Sequence, residues 1–271
     1  MVACLTLCFY TSLTAFGQES SQAHSHDNGQ EHNHGNNALH FSHPIATESP
    51  YPDTKVRLDH VFENLSANEG NQQTIRLEGE YAVSRSFSIE IDVPYTFVDP
   101  EEEGKRSNLN SIDVGLKYAN YALEEMGILI GGGMEFVLPT GDNDKEIGSA
   151  TVWELEPFLD FGWKKNNLEI VSFVSFGIPV NGDSDEADWE LGWNLSALYR
   201  IIPSIELLLE SGTEKVYGGE EDGFNMVSLI PGIKWKPKGQ EHLKVGFGMG
   251  VPISSDKEHN LASFFSLFYH L

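Results

Sequence analysis

Cysteine is nearly missing from this chain of 271 residues: Cys4 and Cys8 are the whole complement, and both fall in the first apolar run. A chain trimmed after that run has no thiol and no disulfide, so its fold rests on hydrogen bonds and packing. No later stretch reaches the ~18 consecutive apolar residues that a membrane helix needs. A helical membrane protein is excluded. Positive charge is scarce as well, with 17 Lys and Arg against 41 Asp and Glu and a formal net charge of -24. Nucleic acid is therefore excluded as a partner, because neutralising phosphates needs clustered cations. Nucleophile elbows, HExxH, phosphate-binding glycine loops and CxxC pairs are all missing from the mature region. No enzyme activity and no required cofactor are expected.

What the chain has is alternation. Between Met126 and Trp163 two segments of period two flank the polar loop Pro139 to Gly148, and in the second Trp153, Leu155, Pro157, Leu159, Phe161 and Trp163 share one face. Glu154, Glu156, Asp160 and Lys164 share the other, as strands between an apolar and a polar medium require. The pattern predicts about twelve strands near residues 55–64, 73–83, 86–98, 110–120, 126–138, 150–164, 168–180, 188–200, 204–215, 223–236, 241–252 and 260–271. Lipid outside a closed sheet and a polar lumen inside make both faces reasonable at once. The expected fold is an all-β, antiparallel transmembrane β-barrel. Long acidic loops after odd strands and short turns after even ones put both termini in the periplasm of a Gram-negative outer membrane. Leu138-Pro139-Thr140-Gly141-Asp142 belongs to a repeated strand-exit signal that recurs at Val93-Pro94, Ile178-Pro179 and Val251-Pro252. Phe265, Leu267, Tyr269 and Leu271 alternate to the last residue, resembling the terminal signal read by the barrel assembly machinery.

Ahead of the barrel, residues 1–17 read as a signal peptide with cleavage before Gln18. Residues 18–52 are rich in Ser, Gln, Asn, Gly and His and read as a disordered periplasmic arm, leaving the barrel to residues 53–271. His24, His26, His32, His34, His40 and His43 fall in that arm. Imidazoles two apart on a flexible chain can converge on Zn²⁺, Cu²⁺ or Ni²⁺, and a polar spacer is the plain alternative.

Within the expected lumen, Glu90, Asp92, Glu135, Glu154, Glu156 and Asp160 are the candidate selectivity residues, with Arg76 and Lys117 as cationic partners. Either these charges pair into a plug, or the excess carboxylate lines a cation-preferring path. Asp142/Asp144/Glu146 and Asp183/Asp185/Glu186 offer oxygen ligands for Ca²⁺, although solvated loops account for them. The expected function is a monomeric channel or transporter, in outer-membrane lipid, for a small molecule or ion. A non-conducting structural or adhesion barrel is the alternative. A lipid hydrolase built on His60, His242 and Ser211 is a lesser one.

Ile89-Glu90-Ile91-Asp92-Val93-Pro94-Tyr95, Ile112-Asp113-Val114-Gly115-Leu116-Lys117-Tyr118 and Phe136-Val137-Leu138-Pro139-Thr140-Gly141-Asp142 carry one further reading. In these stretches the chain resembles the outer-membrane channels grouped under the "MetA-pathway of phenol degradation" name, over roughly residues 55–271. That resemblance implies a barrel and the uptake of small aromatic compounds.

Overall fold

The computed structural model describes residues 39–101, 104–182 and 187–271; the expected signal peptide and the histidines at 24, 26, 32 and 34 lie outside them. Thirteen strands follow in chain order: β1 (Lys55–Leu65), β2 (Asn71–Ser84), β3 (Phe87–Asp99), β4 (Arg106–Leu109), β5 (Ile112–Asn120), β6 (Ile128–Leu138) and β7 (Glu154–Lys165), then β8 (Leu168–Pro179), β9 (Trp189–Ile202), β10 (Ile205–Tyr217), β11 (Asn225–Trp235), β12 (Leu243–Pro252) and β13 (His259–His270). Each pairs antiparallel with its neighbour, and β1 pairs with both β2 and β13, which closes the sheet. Short β4 and β5 lie end to end against β3, at Tyr95–Val98 and Phe87–Asp92 respectively, so the barrel has twelve wall positions.

The break between β4 and β5 has a local cause. Pro94 sits inside β3, paired with Arg76 of β2, and it has no N–H to offer the other neighbour. There the ladder is replaced by Asn110 N–H donating to the Pro94 carbonyl at 2.9 Å, and by Thr140 Oγ1 bridging Ile112 N–H and the Asn110 carbonyl, each at 2.9 Å. The expectation that Val93-Pro94 ends a strand is corrected by this, since β3 runs on to Asp99. The other three prolines do mark exits: β6 stops just before Pro139, and β8 and β12 stop at Pro179 and Pro252. The seventh strand starts at Glu154, which leaves Trp153 exposed in the loop.

Alternation holds around the wall. Leu58, Leu77, Ile89, Leu116, Leu159, Leu195, Leu209, Ile233, Phe247 and Phe265 are exposed on the outside, where lipid rather than water meets them. Tyr81, Tyr118, Tyr199, Trp235 and Tyr269 form an exposed ring near the ends where β1 starts and β13 finishes. Tyr95, Phe97, Phe136, Phe176 and Trp193 lie toward the opposite rim. Two aromatic girdles around an apolar band are what the two membrane interfaces demand. The molecule is an outer-membrane barrel, and the end with the short turns and the chain entry faces the periplasm. No helix among the described residues is long and apolar enough to cross a membrane.

Leu209, at mid-strand between Ala197 and Pro231, is 49% exposed on the band. Leu209→Arg is expected to cost about 2–4 kcal/mol in denaturant unfolding from lipid vesicles; a loss below about 1 kcal/mol would contradict the membrane placement.

Candidate functional site

The inner face of the wall is divided along its height. In the periplasmic half Ala119, Leu129, Val171, Leu198 and Leu208 point inward from five strands and form a buried apolar surface. That surface packs against Phe41, Ile45 and Tyr51, which come from ahead of β1. Residues 39–54 enter at the periplasmic mouth, rise to a bend at 45–47 and return to Lys55. The expectation of a disordered arm reaching Pro52 is corrected for these residues: they form an ordered, re-entrant plug. Its path needs wall positions without side chains. A Cβ at Gly162 would lie 2.6 Å from Phe41 Cζ and 2.7 Å from Pro50 Cγ, and one at Gly246 would lie 3.0 Å from Ile45 Cγ1.

An irregular backbone inside a barrel must find partners for every N–H and C=O, and here charged wall groups supply them. Glu210 accepts from the N–H groups of Ile45 at 2.7 Å, Ala46 at 3.1 Å and Thr47 at 2.9 Å, and Ser196 Oγ donates to the same carboxylate at 2.6 Å. Glu169 takes Ser42 N–H at 2.6 Å, and Glu206 takes the Ser42 hydroxyl at 2.8 Å. Cations serve the carbonyls: Arg57 donates to Ile45 O, Lys234 to His43 O and Lys164 to His40 O. Glu48, the plug's own carboxylate, meets Lys117 at 2.8 Å and Lys55 at 3.4 Å.

The expected site residues divide between two environments. Arg76, Lys117, Glu90 and Asp92 belong to the paired half: Lys117 reaches Glu90 at 3.2 Å, and Arg76 reaches Asp59 at 2.6 Å and Asp92 at 3.3 Å. Glu135, Glu154 and Glu156 lie toward the external ends of β6 and β7, while Asp160 lies deeper on β7, buried and accepting no protein hydrogen bond. Above the plug a cavity of about 150 Å³ has Ala46 in its lining with Glu63, Arg76, Glu214, Glu258 and His259. At the other end a cavity of about 520 Å³ is lined by Arg200, Lys234, Lys236, Lys244 and Glu206. The outer vestibule is thus acidic and the periplasmic mouth basic.

Alternation in β10 sets Glu210 on the polar face, whereas Glu169, Glu214, Glu258, Asp53 and His270 lie outside the expected site. Ile128-Leu129-Ile130 and Leu207-Leu208-Leu209 do carry a legible signal, because three apolar residues in a row put one of them on the inner face. Among the candidate metal ligands, His40 is exposed and forms an edge-on contact with Tyr51, while His43 is buried within 3.1 Å of Asp53. Burial holds the His43 imidazole well below its ordinary pKa, and the two histidines beside Asp53 outweigh burial to hold that carboxyl well below the usual range. In the 142–146 loop Asp142 pairs with Lys145 at 3.0 Å and Glu146 with Arg106 at 2.6 Å, in keeping with a solvated loop. Asp183, Asp185 and Glu186 lie outside the described residues. His60 of β1 faces outward beside Gln73, and β11, β12 and β13 stand between it and Ser211 of β10, so no nucleophile pair forms there.

No protein-family model matches the chain, and no curated protein matches it. In fold the chain is similar to the COG4313 outer membrane channel from Pseudomonas putida F1, with TM-score 0.64, 12% identity and coverage of 82% of this chain and 96% of that one. It is also similar to the NanC porin, with TM-score 0.58, 10% identity and coverage of 79% and 100%. The KdgM porin follows with TM-score 0.51, 10% identity and coverage of 80% and 99%. The barrel is of the kind found in outer-membrane channels and porins.

Two expectations follow from this geometry. Glu210→Ala strips the bend of its acceptor for three N–H groups, so a cysteine at position 46, in a background without Cys4 and Cys8, should react with an impermeant thiol reagent at least about tenfold faster than with Glu210 present, the effect of losing more than ~1.4 kcal/mol of plug anchoring; equal rates would show that Glu210 does not hold the plug. The second concerns Glu258, in the loop before β13, whose carboxyl is raised well above its ordinary 4.5 by burial and by Glu214, Glu63, Glu221 and Glu190. A raised folded-state pKa adds stability at acid pH that is lost as pH rises through that pKa. Glu258→Gln should match the parent below about pH 4 and melt higher than it from neutral pH upward, read as the temperature of the heat-induced gel shift.

Proposed function

We propose that this chain is an outer-membrane channel for a small solute, gated by its own N-terminal plug, with a preference for cations. The observation that carries this reading is the contrast along the lumen. The plugged half pairs carboxylates with Lys55, Arg57, Arg76 and Lys117, whereas Glu63, Glu190, Glu214 and Glu258 surround the outer vestibule with like charge. Like charges held in a confined space are costly to solvate, and a passing cation relieves that cost.

The motif resemblance to the phenol-degradation channels supports a small solute, and the acidic vestibule favours a cationic one over a neutral aromatic. Divalent transition ions belong to the same class, which fits the histidines at 24, 26, 32 and 34 that precede the plug in the sequence. The filled lumen favours a second reading, a non-conducting structural barrel.

Planar-bilayer recording separates the two. The full chain should pass little current at rest. Replacing residues 41–51 with a Gly-Ser linker should produce stable steps whose reversal potential in a KCl gradient favours cations, and Glu190→Gln with Glu214→Gln and Glu258→Gln should move that potential toward zero. Silence in the linker variant, with a heat-modifiable folded barrel, would establish the structural reading instead.

A further inference from the structure

We propose that His43, Asp53 and His270 form a binding site for one divalent transition-metal ion of the Zn²⁺ class at the periplasmic mouth. Asp53 Oδ2 lies 3.1 Å from His43 Nε2 and 2.7 Å from His270 Nδ1. One donor atom from each residue lies within 4.8 Å of the others. Ligands on a tetrahedral ion with bonds of ~2.0–2.1 Å stand about 3.3 Å apart, so the two imidazoles need draw back from Asp53 by only a fraction of an ångström to that separation. Two imidazoles and one carboxylate form a nitrogen-rich donor set that suits Zn²⁺ and disfavours Mg²⁺ or Ca²⁺.

The surroundings are built rather than incidental. Asp53 is oriented by its backbone, with Thr54 N–H donating to Oδ1 at 2.8 Å and its own N–H donating to Glu80 at 3.0 Å. Tyr51 Oη donates to Oδ2 at 3.1 Å, from a side chain that is itself buried. His270 Nε2 is buried without a hydrogen-bond partner, and the His43 ring is stacked 6.3 Å from Phe268, which fixes its plane. The three ligands come from separate places: the rising leg of the plug, its returning leg and the last residue of β13. An ion there would join both legs of the plug to the strand that closes the barrel.

The test uses the full chain in detergent with His24, His26, His32, His34 and His40 all changed to Ser, so that only the structured site is read. Competition with a chromophoric chelator should return one equivalent of Zn²⁺, and Co²⁺ should give the intense visible absorption of a four-coordinate site. Saturating Zn²⁺ should also raise the temperature of the heat-induced gel shift. His43→Ala and His270→Gln, checked as folded by the same gel shift, should each weaken Zn²⁺ at least about tenfold and abolish the thermal gain. His270, at a strand end, gives a readable variant even if His43→Ala fails to fold. No Zn²⁺ bound by the background, or binding unchanged by His270→Gln, would overturn the proposal and leave a hydrogen-bonded cluster only. None of these readouts depends on whether the barrel conducts.

Discussion

The structure depends on one constraint: peptide groups that enter a membrane barrel outside its sheet must be hydrogen-bonded by the wall. Residues 39–54 are neither helix nor strand, and they cross a region where an unmet N–H or C=O costs several kcal/mol. The wall answers with ions. Glu210, Glu169 and Glu206 accept from plug donors, and Arg57, Lys234 and Lys164 donate to plug carbonyls. Charge-assisted bonds of this kind are about twice as strong as neutral ones, so a short segment can be held without regular structure. The same bonds explain why the side chains around the plug tolerate burial: Glu210, Glu169, Arg57 and Lys234 are each matched by a peptide dipole or by an opposite charge, whereas Asp160, away from these bonds, is not.

That arrangement leaves a surplus with a direction. Lysines and arginines are drawn to the plug and to the basic mouth, so the external half keeps acidic groups with few cations to meet them. With 41 acidic residues to 17 basic ones, the surplus is unavoidable, and the plug determines where it gathers. On the proposed reading, selectivity and closure share one cause, since the cations that hold the plug are the ones missing from the vestibule.

Much of the wall was legible in the sequence. Period-two alternation locates the strands to within a few residues, as in Leu168–Pro179 against the expected 168–180, because one residue's slip would turn every lipid-facing side chain inward. Glu90, Asp92, Glu135 and Asp160, which the same rule sets on the polar face, are buried, and their part in selectivity is a proposal. Pro94 misled, because proline is compatible with a strand interior where its neighbour strand is itself broken. The plug was not legible as such. Its stretch has the composition of a spacer, and composition reports only what a segment can bury by itself. Phe41, Ile45 and Tyr51 are too few to make a core, yet enough to fill one whose walls are already built.

The sequence by itself determined the barrel, its roughly twelve wall positions, its lipid face and its acidic balance, because these follow from local alternation and from counts that no folding can alter. Only the tertiary structure decided which carboxylates are paired, where the lumen is closed, and that His43, Asp53 and His270 meet across |i−j| separations of 10 and 217. Those relations arise when β1 pairs with β13 and the plug folds back between them. Such contacts join the two ends of the chain, and no pattern confined to neighbouring residues can express them.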